Sequence, residues 1–301
     1  MVVGSSNTDM VIKTDHLPMP GETILGGQFV MVPGGKGANQ AVAAARLGAE
    51  VLFVARLGMD IFGEESLENF KREGIDTKYI VRDHELPSGV ALIFVDKSGE
   101  NVIAVAPGSN LMLSPADIER ASDQMSSCSA VVLQLEIPKS TVEWVARLAH
   151  EKGVRVILNP APMCKDGLPK NLLELVDLLV ANETEARMLL NLDVETKIDE
   201  STALRLLKLG IGSAIITLGA KGALVIADGR VRSIAAPNVT TVDTTAAGDA
   251  FVGALAASLS SGYGLLESAQ YASKAAAISV TRMGAQSSLP KASEVERFQA
   301  E

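Results

Sequence analysis

Hydrophobic and polar positions alternate along the middle of the chain in a rhythm typical of an α/β protein. Between Val51 and Gly219, short runs rich in Val, Ile and Leu are separated by longer stretches with apolar residues at helical spacing. Strands that are apolar throughout are buried on both faces, so the pattern predicts a mainly parallel sheet with helices on both sides. The predicted strands are Val51–Arg56, Ala130–Leu135, Val154–Asn159, Asp177–Ala181 and Ala214–Leu218, and the predicted helices are Phe62–Glu73, Pro115–Ser126, Lys139–Glu151, Thr184–Leu190 and Thr202–Leu209.

Two stretches, Met10–Val32 and Ser88–Pro107, interrupt this rhythm and have the pattern of β-hairpins. In the second, Val90–Asp96 and Asn101–Ala106 flank a turn that contains Gly99. No predicted helix covers either hairpin, so we expect a small sheet that projects from the core. We expect this uncovered sheet face to cover a substrate, to contact a partner subunit, or both.

The last third of the chain changes pattern again. Ala223–Ala227 and Val231–Ala235 follow Ala214–Leu218 through tight turns, which predicts an antiparallel edge to the main sheet. Two Ala-rich helices, Ala250–Ser260 and Leu265–Thr281, come next.

Composition narrows the possible functions. The net charge is −9 and aromatic residues make up 4%, which argues against nucleic-acid binding, because that needs basic stripes and stacking platforms. There is no apolar run of membrane-spanning length and no secretory signal at the N-terminus, so we expect a cytoplasmic protein. The two cysteines, Cys128 and Cys164, and the scattered histidines predict neither a disulfide framework nor a zinc site.

Polar residues and one glycine follow the carboxyl ends of several predicted strands. In an open parallel sheet these ends meet at one edge, which forms the ligand crevice. The sequence therefore predicts a shared site at this edge, formed by Asn7, Asp9, Glu136, Asn182, Glu185 and Gly219.

The segment Asp243-Thr244-Thr245-Ala246-Ala247-Gly248-Asp249 carries the strongest chemical signal. Its small residues lead into a helix, whose first backbone amides are unpaired and attract an anion. A carboxylate at Asp249 could take a proton from a hydroxyl while those amides hold a phosphoryl group. Taken alone, Asp249 is better explained as an acidic residue stabilised by the helix dipole.

A second glycine-rich segment, Pro33-Gly34-Gly35-Lys36-Gly37-Ala38-Asn39-Gln40, opens another Ala-rich helix that Gly48 ends. It is not a Walker A loop, because no Ser or Thr follows the lysine. Its glycines let the backbone approach a ligand, and Asn39 has donors and an acceptor that suit sugar hydroxyls.

Three further features remain open on local pattern alone. Asn182 with Glu185 is a helix capping box that could also serve phosphate and metal-bound water. Thr217-Leu218-Gly219-Ala220-Lys221-Gly222 is either a nucleotide cradle or a tight hairpin turn. Asn7 and Asp9 either grip neighbouring hydroxyls or form a turn.

The two glycine- and alanine-rich segments together resemble the signature regions of the ribokinase-like carbohydrate kinases, also called the phosphofructokinase-B family. The resemblance extends from Val2 to about Pro290 and includes Gln134-Leu135-Glu136 and Asn159-Pro160-Ala161-Pro162. It implies a doubly wound three-layer α/β sandwich with a mainly parallel central sheet. It also implies a β-sheet lid, inserted at about residues 10–34 and 87–108 of a single domain over residues 1–301, and dimers that pair through the lid.

The activity implied by the resemblance is ATP-dependent phosphorylation of D-ribose at its 5-hydroxyl, with Asp249 as general base and the amides of residues 246–249 as the anion hole. Implied cofactors are Mg²⁺ with ATP and K⁺ as an activating cation. The implied sugar-binding residues are Asn7, Asp9, Gly35, Lys36, Asn39, Glu136 and Asp249; the implied ATP-binding residues are Asn182, Glu185, Thr217, Gly219, Gly222, Ala247 and Gly248; and the implied cation-binding residues are Asp243, Thr245, Ser279, Arg282, Gly284 and Ser288.

Two positions depart from the common family pattern. Ala246 stands where many members have Gly, and Ser273 stands where Asn or His often lies near adenine. Other activities stay open: phosphorylation of deoxyribose, a ketose or adenosine, or a non-catalytic sugar sensor. A sensor would have lost the base or the anion hole, and this sequence has both.

Overall fold

The structure, a computed structural model, describes residues 1–163 and 166–299, so Cys164 lies outside the described residues. Its strands are β1 Val2–Val3, β2 Asn7–Lys13, β3 Gln28–Gly34, β4 Phe53–Val54, β5 Arg56–Gly58, β6 Val81–Asp83, β7 Gly89–Val95, β8 Asn101–Ala106, β9 Ala130–Leu133, β10 Arg155–Leu158, β11 Leu178–Asn182, β12 Ser213–Thr217, β13 Ala223–Ala227 and β14 Arg230–Ile234. Its α-helices are α1 Lys36–Arg46, α2 Ile61–Arg72, α3 Pro115–Glu119, α4 Ser122–Met125, α5 Lys139–Glu151, α6 Lys170–Leu173, α7 Glu183–Leu189, α8 Glu200–Leu204, α9 Ala247–Ser260, α10 Leu265–Ser279 and α11 Ala292–Arg297.

The main sheet has eight strands in the order β14-β13-β12-β11-β10-β9-β1-β4. The six strands β4, β1, β9, β10, β11 and β12 pair in parallel. Strands β13 and β14 add the antiparallel edge that the sequence predicts. All the parallel strands therefore end at one edge of the sheet.

Each face of the main sheet has its own hydrophobic core, because successive strand residues point to opposite faces. On β10, Ile157 packs with the residues of α1, α9 and α10, whereas Val156 and Leu158 pack with those of α3, α5 and α7. This gives the helix–sheet–helix layers expected for strands that are apolar throughout.

The two predicted hairpins form a separate four-stranded sheet in the order β3-β2-β7-β8, called here the small sheet. Strands β2 and β7 join the hairpins in parallel, in a register that places Met10 between Met31 and Leu92. Met31 and Leu92 of this row are about half exposed. So are Phe29 and Val102, which lie in the next row on the same face of the sheet. The small sheet therefore leaves an apolar face uncovered.

Three predicted elements are divided in the structure, and the others differ from it only by a few residues at their ends. The apolar run Val51–Arg56 is split, because the hydrogen-bonding partner changes from β1 to β6 after Ala55. The predicted helix Pro115–Ser126 is broken into α3 and α4, and Thr202–Leu209 changes from α8 into a 3₁₀ turn after Leu204. Each departure depends on a partner distant in sequence or on a local tightening that apolar spacing does not encode.

Within the described residues, no helix combines the length and the apolar character needed to cross a bilayer.

Candidate active site

The predicted strand-end edge contains a cavity of about 220 Å³. Asn159 follows β10, Asn182 ends β11 and Thr217 ends β12, so three adjacent parallel strands supply its floor. The first turn of α9 supplies the facing wall with Asp249, and Lys36 at the start of α1 closes one side.

A second cavity, of about 400 Å³, continues from the first. Thr217, Thr244, Ala247 and Gly248 line both cavities, and so they mark the junction. The larger cavity has a mainly apolar lining, in which Ser273 lies on α10. A small polar cavity that opens into a larger apolar one matches a phosphate chain followed by a flat base.

The N-terminus of α9 points free backbone amides at this junction. Ala246, the N-cap, has a left-handed φ of 58°, and the amide of Ala247 donates to the carbonyl of Thr244 at 3.2 Å. Among the described residues, the amides of Gly248 and Asp249 have no backbone or side-chain acceptor. Unpaired amides at the positive end of a fourteen-residue helix form an anion site.

Asp249 is buried in the first turn of α9, and each oxygen of its carboxylate accepts a hydrogen bond from α1. Asn39 Nδ2 donates to Oδ2 at 2.9 Å, and Gln40 Nε2 donates to Oδ1 at 2.9 Å. Burial raises the pKa of Asp249 above its usual value, while the Lys36 ammonium and the two amides act in the opposite direction.

Helix α1 begins as predicted at the glycine-rich segment. Gly35 is its N-cap with a φ of 87°, and an added Cβ would lie 2.7 Å from the backbone nitrogen of Asn7. Glycine therefore allows the start of α1 to lie against the beginning of β2. The helix ends at Arg46 with Leu47 as its C-cap, and Gly48 has the left-handed φ of 95° expected of a helix stop.

Four carboxylates surround the buried ammonium of Lys36: Asp9, Glu136, Glu185 and Asp249. Burial alone would lower the pKa of Lys36, but these charges raise it overall. Burial, followed by the charges of Glu136 and Asp249, raises the pKa of Asp9 to about 7. The site thus has excess negative charge close to the place where the amides at the N-terminus of α9 would hold an anion.

Glu136 is held at the mouth of this cluster by two donors. Its Oε2 accepts from Ser5 Oγ at 2.5 Å and from the backbone amide of Lys36 at 2.9 Å. The loop after β9 is thereby joined to the loop after β1 and to the start of α1.

Asn7 and Asp9 lie on one side of β2, two residues apart, and both are buried. They belong to the small sheet rather than to a turn after β1. Asn110 Nδ2 donates to Asn7 Oδ1 at 2.8 Å, and Asn110 also bonds both backbone groups of Ser6. The bond to Asn7 fixes the orientation of its amide, which leaves the NH₂ group of Asn7 for another partner.

Asn182 and Glu185 form the predicted capping box. Asn182 Oδ1 accepts from the Glu185 amide at 2.8 Å, and Glu185 Oε2 accepts from the Asn182 amide at 2.9 Å. Both residues also line the smaller cavity, so the cap and the cavity wall are the same structure. Burial raises the pKa of Glu185 above its usual value.

Thr217, Gly219 and Gly222 line the larger cavity at the turn between β12 and β13. The segment Gly219–Lys221 is a 3₁₀ turn, and both glycines have left-handed φ angles, 58° and 96°. The two interpretations of this segment are therefore compatible, because the tight turn itself forms the cavity wall.

Comparison with known proteins agrees with this geometry. A family model described as pfkB family carbohydrate kinase matches residues 1–292. The chain belongs to the pfkB family of carbohydrate kinases. Among relatives of this pfkB kinase, the ribokinase of Haemophilus influenzae is 42% identical over 301 residues, with 99% of this chain and 97% of that enzyme covered.

Two other relatives bear on substrate and fold. The deoxyribokinase of Salmonella typhi is 38% identical over 298 residues, with 99% of this chain and 96% of that enzyme covered. The structure of Arabidopsis thaliana ribokinase complexed with ribose and ATP superposes with a TM-score of 0.89 at 32% identity, with 99% of this chain and 98% of that chain covered. The predicted fold class is confirmed.

The candidate cation residues of this pfkB kinase fall into two hydrogen-bonded groups. Asp243 accepts from the amide and hydroxyl of Thr245 at 2.9 and 2.6 Å, and from the amide of Gly284 at 2.8 Å. Ser279 and Ser288 bond each other through their hydroxyls at 2.8 Å, whereas the Arg282 side chain turns to Glu294. Burial alone would raise the pKa of Asp243, but these hydrogen bonds lower it below its usual value.

Sequence reasoning missed several residues of the two cavities. Thr244 lies at their junction and Asn159 on the floor of the smaller one, although neither was singled out for a role. The connection between β14 and α9 lines the larger cavity with Pro237, Asn238 and Thr241, yet it has no periodic pattern that would have revealed it. For Asn159, the available signal was an amide at the end of an otherwise apolar strand.

Proposed function

We propose that this pfkB kinase transfers the γ-phosphoryl group of ATP to the 5-hydroxyl of D-ribose, giving D-ribose 5-phosphate and ADP. One observation carries the proposal: the buried carboxylate of Asp249 lies on the cavity wall beside the free amides at the start of α9. The identity to ribokinases over nearly the whole chain supports ribose as the sugar.

The chemistry follows from this pairing. Asp249 accepts the proton of the 5-hydroxyl as that oxygen forms a bond to the γ-phosphorus, and the bond from phosphorus to the ADP oxygen breaks. The amides of residues 246–249, and most directly the free ones of Gly248 and Asp249, stabilise the charge on the transferring group. The raised pKa of Asp249 brings its basicity closer to neutral pH.

The sugar is assigned to the carboxylate cluster around Lys36, next to the end of the smaller cavity that Lys36 and Asp249 line. Its proposed contacts are Asn7, Asp9, Gly35, Lys36, Asn39, Glu136 and Asp249. Two observations support this set: within the described part of the chain Asn39 Oδ1 is buried without a hydrogen-bond partner, and the carboxylates of Asp9 and Glu136 are acceptors for sugar hydroxyls.

The nucleotide is assigned to the larger cavity, with its phosphates extending across the junction into the smaller one. Its proposed contacts are Asn182, Glu185, Thr217, Gly219, Gly222, Ala247 and Gly248. Mg²⁺ bound to the ATP phosphates would offset the excess of carboxylates around Lys36, and Glu185 is the carboxylate placed to hold its water ligands.

Potassium is the proposed activating cation, held by oxygens of Asp243, Thr245, Ser279, Arg282, Gly284 and Ser288, some through backbone carbonyls. The Asp243 carboxylate and the Ser279 and Ser288 hydroxyls are oxygen donors, which suits a hard cation. Since Asp243 bonds Gly284 just before the anion site, a cation there would order the loop that leads into α9.

We further propose a homodimer that pairs through the small sheet, which acts as a lid over the sugar within a single kinase domain. The uncovered apolar face of this sheet supports the pairing. The cytoplasm, where ATP is supplied, is the proposed compartment.

A panel of ribose, deoxyribose, fructose and adenosine at fixed ATP tests the substrate, with potassium or tetramethylammonium as the only monovalent cation. We expect ribose to have the highest kcat/KM, and potassium to be required for full turnover. The deoxyribokinase relative makes deoxyribose the second candidate. Faster turnover of any other substrate would overturn the choice of ribose, and equal rates in both cations would overturn the cation site.

A further inference from the structure

Two neighbouring amides on α1 bind Asp249, but they differ in what remains free. Asn39 donates to one carboxylate oxygen, and its own Oδ1 is buried without a partner among the described residues, so it can still receive a sugar hydroxyl. Gln40 donates to the other carboxylate oxygen and is completely buried.

Every hydrogen-bonding group of the Gln40 side chain has a protein partner. Its Nε2 donates to Asp249 Oδ1 at 2.9 Å and to Asn159 Oδ1 at 3.1 Å, and its Oε1 accepts from Gln134 Nε2 at 2.6 Å. The opposite amide orientation would place Oε1 against the Asp249 carboxylate and Nε2 against the Gln134 donor. Only one orientation is therefore compatible with its neighbours.

Gln134 is also completely buried, just after β9. Gly4 makes its position possible, because a Cβ on Gly4 would collide with Gln134 Oε1. That oxygen has no hydrogen-bond partner in residues 1–163 and 166–299, which is costly unless the residue has another use. Its bond to Gln40 is the evident use.

We propose that Gln40 is a positioning residue that holds the Asp249 carboxylate for proton transfer, and that Gln134 acts through Gln40 by fixing its amide. The proposal rests on the proposed role of Asp249 as the base. When Asn39 turns toward a bound sugar, the bond from Gln40 still fixes the carboxylate plane, so the free lone pairs of Asp249 stay directed at the cavity.

The direction of the effect on the base follows from charge. A donor to a carboxylate favours its ionised form, so loss of the Gln40 bond raises the pKa of Asp249 further. The acid limb of the pH–kcat/KM profile then moves to higher pH. Loss of packing alone would lower activity without moving that limb.

The test compares Gln40→Met, Gln134→Met and the double variant with the wild type, using the sugar that the wild type phosphorylates fastest. For Gln40→Met we expect kcat to fall roughly 10–100-fold, the weight of one hydrogen bond to a charged group, with little change in KM. The acid limb should move up by about one pH unit. The kcat of Gln134→Met should fall less than that of Gln40→Met, and the double variant should be no slower than Gln40→Met alone.

Thr141→Val is the matched control, because it removes a buried 2.8 Å hydrogen bond to the Leu113 carbonyl, between residues that line neither cavity, with little change of shape. Its acid limb should coincide with that of the wild type. If Gln40→Met does not fold, the pH profile of Gln134→Met decides. An unmoved acid limb, or losses that multiply in the double variant, overturns the proposal.

The same assays separate this inference from the proposed function. Absence of ribose turnover by the wild type refutes the choice of sugar and leaves the variant series interpretable with the preferred substrate. A near-normal rate for Asp249→Asn refutes the base itself.

Discussion

Gly253 of α9 lies so close to Gln40 of α1 that an added Cβ would come within 2.7 Å of the Gln40 carbonyl oxygen. The side chain of Ala43 is also in the way. Helices α1 and α9 therefore approach each other at a glycine one turn beyond Asp249. This close approach brings Asn39 and Gln40 within hydrogen-bonding distance of the carboxylate.

Gly253→Ala should push these two helices apart. We expect the free energy of unfolding to fall by about 1–3 kcal/mol, as in other overpacked cores, and kcat to fall with it. Urea unfolding and steady-state kinetics measure both. Gly264→Ala is the control, since a Cβ there meets no atom of the described residues within 4 Å; it should keep the wild-type kcat and lose at most about 1 kcal/mol as a poorer N-cap of α10. A Gly253→Ala protein with wild-type kcat would show that the helix spacing does not matter for catalysis.

Asp249→Asn removes the proposed base while keeping the shape of the side chain. We expect kcat to fall by about 10²–10⁴-fold, the usual contribution of a general base. Sugar binding, measured by calorimetry, should persist, because the amide oxygen can still accept a hydrogen bond from Asn39 or Gln40. Loss of binding together with turnover would instead make Asp249 chiefly a sugar-binding residue.

Asp9 should make the ligand-free protein less stable as pH rises toward neutrality. Its pKa is about 7 in the folded chain against 3.8 ordinarily, so the folded state binds the proton more tightly. This contribution is fully present below about pH 4 and is lost as the pH rises through 7, with an upper limit of about 4 kcal/mol.

Asp9→Asn cannot ionise, so its unfolding free energy should fall less than that of the wild type between about pH 5 and pH 8. Urea unfolding at both pH values measures the difference. Asp15→Asn, at an exposed position, is the control and should keep the wild-type slope. Parallel slopes for wild type and Asp9→Asn would contradict the raised pKa.

Ala246→Gly should relieve strain at the start of α9. Ala246 has a φ of 58°, a conformation that costs a residue with a Cβ about 1–2 kcal/mol, part of which the greater freedom of unfolded glycine offsets. We expect a gain in stability of up to about 1 kcal/mol with turnover retained. For Ala256→Gly, within the same helix, the free energy of unfolding should fall by about 1 kcal/mol. Equal losses from both substitutions would show that Ala246 is not strained.

Leu92→Glu tests the proposed dimer. Leu92 is 49% exposed in the row Met31–Met10–Leu92 across the small sheet, so a buried charge there would disfavour pairing. Sedimentation velocity should show a dimer for the wild type and a monomer for the variant. Val194→Glu, at a residue that is 80% exposed outside this sheet, should remain dimeric. A wild-type monomer would exclude the pairing.

The parts of the structure that local pattern determines were predictable. The apolar strands, the antiparallel edge, the two hairpins and the helix start at the glycine-rich segment follow from periodicity and from small-residue segments. The helix predicted from Ala250 starts about one turn earlier, at Ala247. The break at Ala55 was not predictable, because an apolar run does not say which strand it pairs with. Gln40 and Gln134 also escaped notice, since a buried amide network exists only once α1, α9 and β9 have packed together. Polar amides in otherwise apolar stretches were the only sign of them.

Asn7 and Asp9 are on β2 of the small sheet, whereas Asp249 is on a helix packed against the main sheet. The groups proposed to hold the sugar and the groups proposed to activate it thus belong to two structural units, and neither unit contains a complete site. A perturbation by mild heat or denaturant that shifts one unit against the other should stop phosphoryl transfer while both keep their secondary structure. We therefore expect inactivation to precede unfolding, so that the working range of the enzyme is narrower than its melting curve.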